Sequence, residues 1–192
     1  MEFIDEIERF SPSDPREETD KATLLYFARV HKDTVLLREN TIAHITSSGF
    51  LMNRKLDKVL LVHHNIRNVW AWTGGHADGE ENLLQVAIRE VKEETGLLTV
   101  HPLSSQIASL DILPVQPHYR KGKYVNVHLH LSVSYLLIGD EAEEIRPNPS
   151  ENTQVAWFDV SYFTGKHFNV HDVYLYQKLI RKAQNFREHA KE

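Results

Sequence analysis

Cysteine is absent from the 192 residues, which excludes disulfides, thiolate metal sites and cysteine nucleophiles together. Glycine (8) and proline (7) are sparse, so collagen-like repeats, low-complexity segments and disorder of the bulk chain are excluded as well. No apolar run approaches the roughly 20 residues needed to cross a bilayer; the longest are pieces such as KVLLV and SYLLI. Cationic excess is also missing: 22 Lys and Arg stand against 27 Asp and Glu, a net charge of −5, whereas coating a nucleic-acid polymer requires the opposite sign. The opening MEFIDEIERF is acidic and amphipathic, unlike a secretory signal with its positive start and apolar centre. The expectation is therefore a cytoplasmic protein with no membrane partner and no nucleic-acid polymer as partner.

What is present, 41% hydrophobic and 26% charged residues, suits one globular domain with an added segment. In SPSDPREE, Asp14 can cap a helix, Pro15 fits its first position and Glu17 stands at capping-box spacing. Leu24, Leu25 and Ala28 continue that helix, and Thr34 to Arg38 read as a second short one. From Ile42 the pattern becomes short β-rich runs, ITSSGFLMN, KVLLVHH and NVWAWT, followed by a Gly-rich turn, TGGHADGEE. In NLLQVAIREVKEET, Leu84, Ala87, Ile88 and Val91 recur at helical spacing, with Asp78 and Glu81 as a capping box and Gly96 as a left-handed cap. The run YVNVHLHLSVSYLL alternates as one long strand, with Val125, Val127, Leu129, Leu131 and Val133 on one face and Asn126, His128, His130 and Ser132 on the other. QVAWFDV reads as a further strand, and Asp172 to about Glu188 as a closing helix.

Chemistry concentrates in the central helix. At about 100° per residue, Glu90, Glu93 and Glu94 fall within about 100° of one another on the flank of the apolar stripe. Like charges at that spacing cost about 0.2–0.5 kcal/mol each on an exposed helix, and more beside protein. Arg89 and Lys92 cannot balance Asp78, Glu80, Glu81, Glu90, Glu93 and Glu94. A divalent cation closes the gap, and oxygen donors without thiolate suit Mg²⁺ or Mn²⁺. Helix charge alone favours a solvated acidic face; the spacing around it overturns that reading.

Gly75 is followed by five residues, Glu81, seven residues, and then Arg89-Glu90-Val91-Lys92-Glu93-Glu94-Thr95-Gly96-Leu97. This is similar at every fixed position to the Nudix box, G-x(5)-E-x(7)-R-E-U-x-E-E-x-G-U, in the strand, glycine, helix context that such a motif needs. The chain thus resembles the Nudix hydrolases. The box spans Gly75 to Leu97, and the strand pattern from about Ile42 to Val160 looks like the rest of that domain. Thr73 departs from the proline that many members place before the glycine pair.

The resemblance implies an α+β fold, an α/β/α sandwich in which a mixed β-sheet is flanked by helices. Residues 1–40 would be a helical N-terminal extension and residues 41–192 the Nudix domain with its closing C-terminal helix. It further implies metal-dependent attack of water at phosphorus, cleaving a nucleoside diphosphate linked to another moiety, such as an ADP-ribose-like compound, or else a nucleoside triphosphate. Glu90, Glu93 and Glu94 would hold the metal, with Glu81 securing the loop or reaching the metal through water. Arg89 would orient a carboxylate, and Gly74 and Gly75 would let backbone approach the metal.

For the general base, Glu93 and Glu90 in the box compete with Glu143, Glu144 and Glu151 in the acidic loop after the long strand; among the loop acids Glu151 comes first. Substrate contacts are sought at Arg120 and Lys121 in the hairpin PHYRKGKY, which reads equally as a solvated turn. They are also sought at His128 and His130, which can meet substrate, bind a metal or sit hydrogen-bonded in the core; as a strand pair they lack a third ligand nearby in sequence. Trp70, Trp72 and Trp157 can stack a base or fill the core. A homodimer is one assembly left open. The alternative to an enzyme is a non-hydrolytic nucleotide-binding sensor or partner module of the same fold, which need not keep its carboxylates.

Overall fold

Asp14 starts the longer N-terminal helix as its spacing predicts: in an extended backbone, its side chain accepts from the amides of Arg16 and Glu17, with Pro15 at the first helical position. The computed structural model describes residues 2–120 and 122–189. Among these, helices α1 (Glu2–Arg9) and α2 (Pro15–Val30) precede strands β1 (Ala43–Asn53), β2 (Lys58–His64), β3 (Val69–Ala71) and β4 (Thr73–His76). Helix α3 (Leu83–Thr95) follows, then β5 (Val100–Pro102), β6 (Ser109–Val115), β7 (His118–Arg120), β8 (Lys123–Val125), β9 (His128–Gly139), β10 (Asn152–Asp159) and α4 (Val170–His189).

The main sheet runs β10-β2-β1-β9-β5, with β3 on β2, β4 on β1 and β6 on β9. Among the described residues only the central β1–β9 pair is parallel, in register from Ala43↔Leu129 to Asn53↔Gly139; its neighbours are antiparallel. Alternation along β1 divides the interior in two. Ile45 and Leu51 join Phe3, Ile7, Leu24, Val91 and Val133 under α1 to α3, whereas Phe50 and Met52 join Leu61, Phe163, Tyr176 and Leu179 under α4. The expected mixed sheet between helices is present. No helix among the described residues is long and apolar enough to cross a membrane.

Four local expectations change. Thr34 to Arg38 forms turns rather than a helix, because its carbonyls serve distant partners: Val35 O accepts from Ile45 N at 2.7 Å and Leu36 O from Gly79 N at 3.0 Å. The glycine pair lies in a strand, not a turn, since Gly74 and Gly75 oppose Ser48 and Ser47 of β1; a Cβ on Gly74 would stand 2.9 Å from Ser48 Cα. The chain turns later, at Asp78 and Gly79, both with positive φ. Asn82, not Asp78, caps α3 by accepting from Gln85 N at 3.1 Å, while Asp78 accepts from Arg38 Nε at 2.6 Å. Finally, the long alternating run breaks at Val127, which is exposed, and its polar positions His128, Ser132 and Ser134 are as buried as Leu131 and Val133. A central strand covered on both faces has no solvent side.

The two helical layers meet at an ionic cluster. Lys178 on α4, 2% exposed, donates to Asp111 on β6 at 2.6 Å and lies 3.3 Å from Glu17 on α2. Lys182 donates to both oxygens of Glu17 at 2.8 and 2.9 Å, and Ser13 and Ser109 hydroxyls complete the set. Burial pushes the Glu17 carboxyl up, but the Lys182 and Ser13 hydrogen bonds and the lysine charges outweigh it, leaving the group below its usual value. Lys178→Met leaves two buried carboxylates short of a cation and is expected to cost about 3–5 kcal/mol in urea unfolding. Because the folded value of Glu17 is depressed, its contribution is complete above the ordinary carboxylate range. It is lost as pH falls from that range through the folded value, so the wild-type urea midpoint should drop on acidification below about pH 4.5.

Candidate active site

Helix α3 buries Leu83, Val86, Ala87 and Val91 against the sheet and ends at Gly96 with φ 74°, so its last turn is locked beside β4. Glu90 and Glu94, one turn apart, then point at the glycine strand. Gly75 leaves the Glu90 carboxyl its place: a Cβ would stand within 2.6 Å of Glu90 Oε1, inside van der Waals contact. Gly74 N donates to Glu94 Oε1 at 3.0 Å, and Asn152 Nδ2 holds the Glu94 backbone carbonyl at 2.9 Å.

Glu151 reaches the same place from the turn before β10. Its amide and that of Asn152 donate to Asn148 O at 2.9 and 2.8 Å, and its carbonyl accepts from Asn65 N at 2.9 Å. One carboxylate oxygen each from Glu90, Glu94 and Glu151 lies within 4.8 Å of the others. Burial pushes Glu94 up to about 8 against the opposing Gly74 hydrogen bond, with Glu151, Glu90 and Glu93 adding repulsion. Glu90 is raised by burial and by Glu93 and Glu151, with Arg89 and Arg38 pulling the other way. Converging oxygen donors that repel one another, with Glu94 buried and Glu151 exposed, favour a hard divalent cation; the residues present fit Mg²⁺ or Mn²⁺.

The other expected residues are spread around this trio. The Glu93 side chain is 57% exposed, 3.9 Å from Arg89 Nε, while Arg89 Nη2 lies 3.6 Å from Glu90. Glu81 accepts from the Glu2 amide at 3.1 Å and so ties the start of α1 to the loop before α3. Glu143 accepts from the Leu98 and Thr99 amides, and Glu144 pairs with Arg146; both loop acids have structural partners. Arg120 ends β7, and Lys121 lies outside the described residues. Trp72 packs on Tyr176 at 4.9 Å and Trp70 on Phe158 at 4.8 Å, both as partners of the α4-side core. Trp157 packs against the other core.

His128 and His130 stand in a cluster with His44 and His76, with ring centroids 4.9 to 5.2 Å apart. Two participants were invisible in the sequence because their partners are remote. Arg38, held by Asp78, feels the charges of Glu90 and Glu151, and His44 reaches the cluster only through the β1–β9 pairing. His76, read as part of the Gly-rich turn, reaches the cluster through the β1–β4 pairing.

A mixed sheet between helices thus carries carboxylates from the last turns of one helix onto a glycine strand. The NUDIX domain matches residues 42–178, and the chain belongs to the Nudix hydrolase family. It is 31% identical over 99 residues to the m7GpppN-mRNA hydrolase NUDT17 of Danio rerio, covering 48% of this chain and 32% of that protein. It is 30% identical over 118 residues to the Homo sapiens NUDT17, covering 53% and 34%. These matches span about a third of the length of either relative. Among solved structures, a NUDIX family hydrolase from Clostridium perfringens shares the fold at a TM-score of 0.51 and 22% identity, covering 72% of this chain and 96% of that one. A C. elegans Ap4A hydrolase does so at 0.50 and 16%, covering 76% and 98%.

Gly75→Ala tests the geometry. Its added methyl meets the movable end of Glu90, so folding by circular dichroism is expected to persist. Mn²⁺ affinity by calorimetry should fall by roughly 10–100-fold, the usual scale when a ligand's support is disturbed.

Proposed function

We propose that this Nudix domain is a divalent-metal-dependent pyrophosphohydrolase that cleaves a nucleoside diphosphate linked to another moiety. The observation that carries this reading is the convergence of Glu90, Glu94 and Glu151 on one point beside the Gly74 amide. When bound there, Mg²⁺ or Mn²⁺ neutralises the diphosphate and lowers the pKa of water.

The chain's own residues divide the remaining work. Glu90, Glu94 and Glu151 hold the cation, and the Gly74 N–H keeps Glu94 aimed. Arg89, between Glu90 and Glu93, sets the orientation of both carboxylates. Glu93, exposed at the rim of the trio, takes the proton from the attacking water. Glu151, on a turn rather than a helix, is the alternative acceptor. Glu81 secures the loop before α3 through the α1 amide. Arg120, the last residue of β7, and Lys121 are the cations assigned to the phosphates of the far moiety. A polyphosphate bridge between two groups also agrees with the activities named for the relatives, which are an m7GpppN-mRNA hydrolase and an Ap4A hydrolase; nucleoside triphosphates are the next class.

The test is a panel of ADP-ribose, dinucleoside polyphosphates, a capped dinucleotide and nucleoside triphosphates, assayed with and without Mg²⁺ in ¹⁸O-labelled water. Turnover is expected only with metal, with one label on a phosphate product. Glu93→Gln should lower kcat by roughly 10²–10⁴-fold with KM little changed, the usual contribution of a general base. Tight nucleotide binding without turnover across the panel would overturn the enzyme reading in favour of a sensor.

A further inference from the structure

On the sheet face opposite the carboxylate trio, four imidazoles meet, with the charge of Asp78 acting on His44. Ser47 donates to Leu83 O of α3 and opposes Gly75, so the Ser47 side of β1 faces that helix. His44, three residues before Ser47, opposes His130 on β9, and Thr46 opposes His76 on β4; all three histidines therefore share the other face. One nitrogen each from His44, His76 and His130 lies within 4.8 Å of the others.

Two features distinguish this group from a packed cluster of core side chains. The Nε2 atoms of His44 and His130 are buried and have no hydrogen-bond partner, although buried polar atoms are nearly always satisfied. In addition, His44 Nδ1 lies 2.9 Å from Asn40 O. A carbonyl only accepts, so Nδ1 carries the proton and the lone pair is on Nε2, the orphaned atom. A backbone carbonyl fixing the far nitrogen is the usual support of a metal-binding histidine. His128 repeats it, with Nδ1 2.9 Å from Asn126 O and its ring 5.0 Å from that of His44.

We propose that His44, His76 and His130 form a second metal site, of the zinc type, with His128 as the nearest donor for a fourth position. Neutral imidazoles without thiolate or carboxylate suit borderline cations such as Zn²⁺ rather than Mg²⁺. A tetrahedral site with Zn–N of about 2.0–2.1 Å puts its nitrogens about 3.4 Å apart, so side-chain rotation has to close only about 1.4 Å from the outer limit of 4.8 Å. Such an ion would clamp β1, β4 and β9 where β4 carries Gly74 and Gly75, giving the glycine strand a fixed position under the carboxylates. The site is independent of hydrolysis, and its ligands come from strands rather than loops.

The experiment uses the full chain carrying Glu90→Gln and Glu94→Gln, which disables the carboxylate site, stripped with chelator and titrated with Zn²⁺ by calorimetry. One equivalent is expected to bind, with the first shell at the zinc absorption edge made of three to four imidazole nitrogens. Adding His44→Gln or His130→Gln should weaken binding at least about tenfold, with circular dichroism confirming the fold. No zinc bound, an oxygen-dominated shell, or unchanged affinity in both histidine variants would overturn the proposal. The absorption edge is read with all histidines intact, so the test survives if a histidine variant does not fold.

Discussion

The close approach of β4 to both β1 and α3 is the constraint on which the rest depends. A Cβ at Gly74 would run into Ser48 backbone, and one at Gly75 would displace the Glu90 carboxyl. That proximity lets a backbone amide reach Glu94, a carboxylate 4% exposed. A single neutral hydrogen bond does not offset the loss of hydration of a buried charge. The carboxyl therefore sits far above its ordinary value, and the site is poised for a partner of opposite charge.

The same strand has different chemistry on its two faces. Toward α3 it is bare glycine against carboxylates; toward the other side His76 joins imidazoles from β1 and β9. Burial acts on the two sets in opposite directions, favouring the neutral form in each: Glu90 and Glu94 are raised, His44 is lowered, and His130 is pushed down to about 2 with His76 and His44 nearby. Hard and borderline donors are thus sorted onto opposite faces of one short strand.

The N-terminal helices are bound into this arrangement at several points. The Glu17, Lys178, Asp111 and Lys182 cluster joins α2 to β6 and α4, and Glu81 accepts from the first amide of α1. Phe3, Ile7 and Leu24 share a core with Val91 of α3. The preface is thus packed into the interior that supports α3.

Local chemistry made much of this legible in the chain. Asp14 with Pro15, the apolar spacing of α3 and the left-handed Gly96 act within a few residues, so helix ends and faces could be read directly. The Nudix box named Glu90, Glu93 and Glu94 for the same reason, all three lying on one helix beside one glycine pair; the folded site groups the first and last of them and leaves Glu93 exposed. What failed locally did so because distant partners won. The carbonyls of Val35 and Leu36 went to Ile45 and Gly79 instead of a helix, and Asp78 went to Arg38 instead of a cap. The choice of Glu151 as third carboxylate, and the meeting of His44, His76 and His130, depend on loop and strand pairings across the sheet. Periodicity specifies which face a residue takes, but only the folded sheet decides which faces meet.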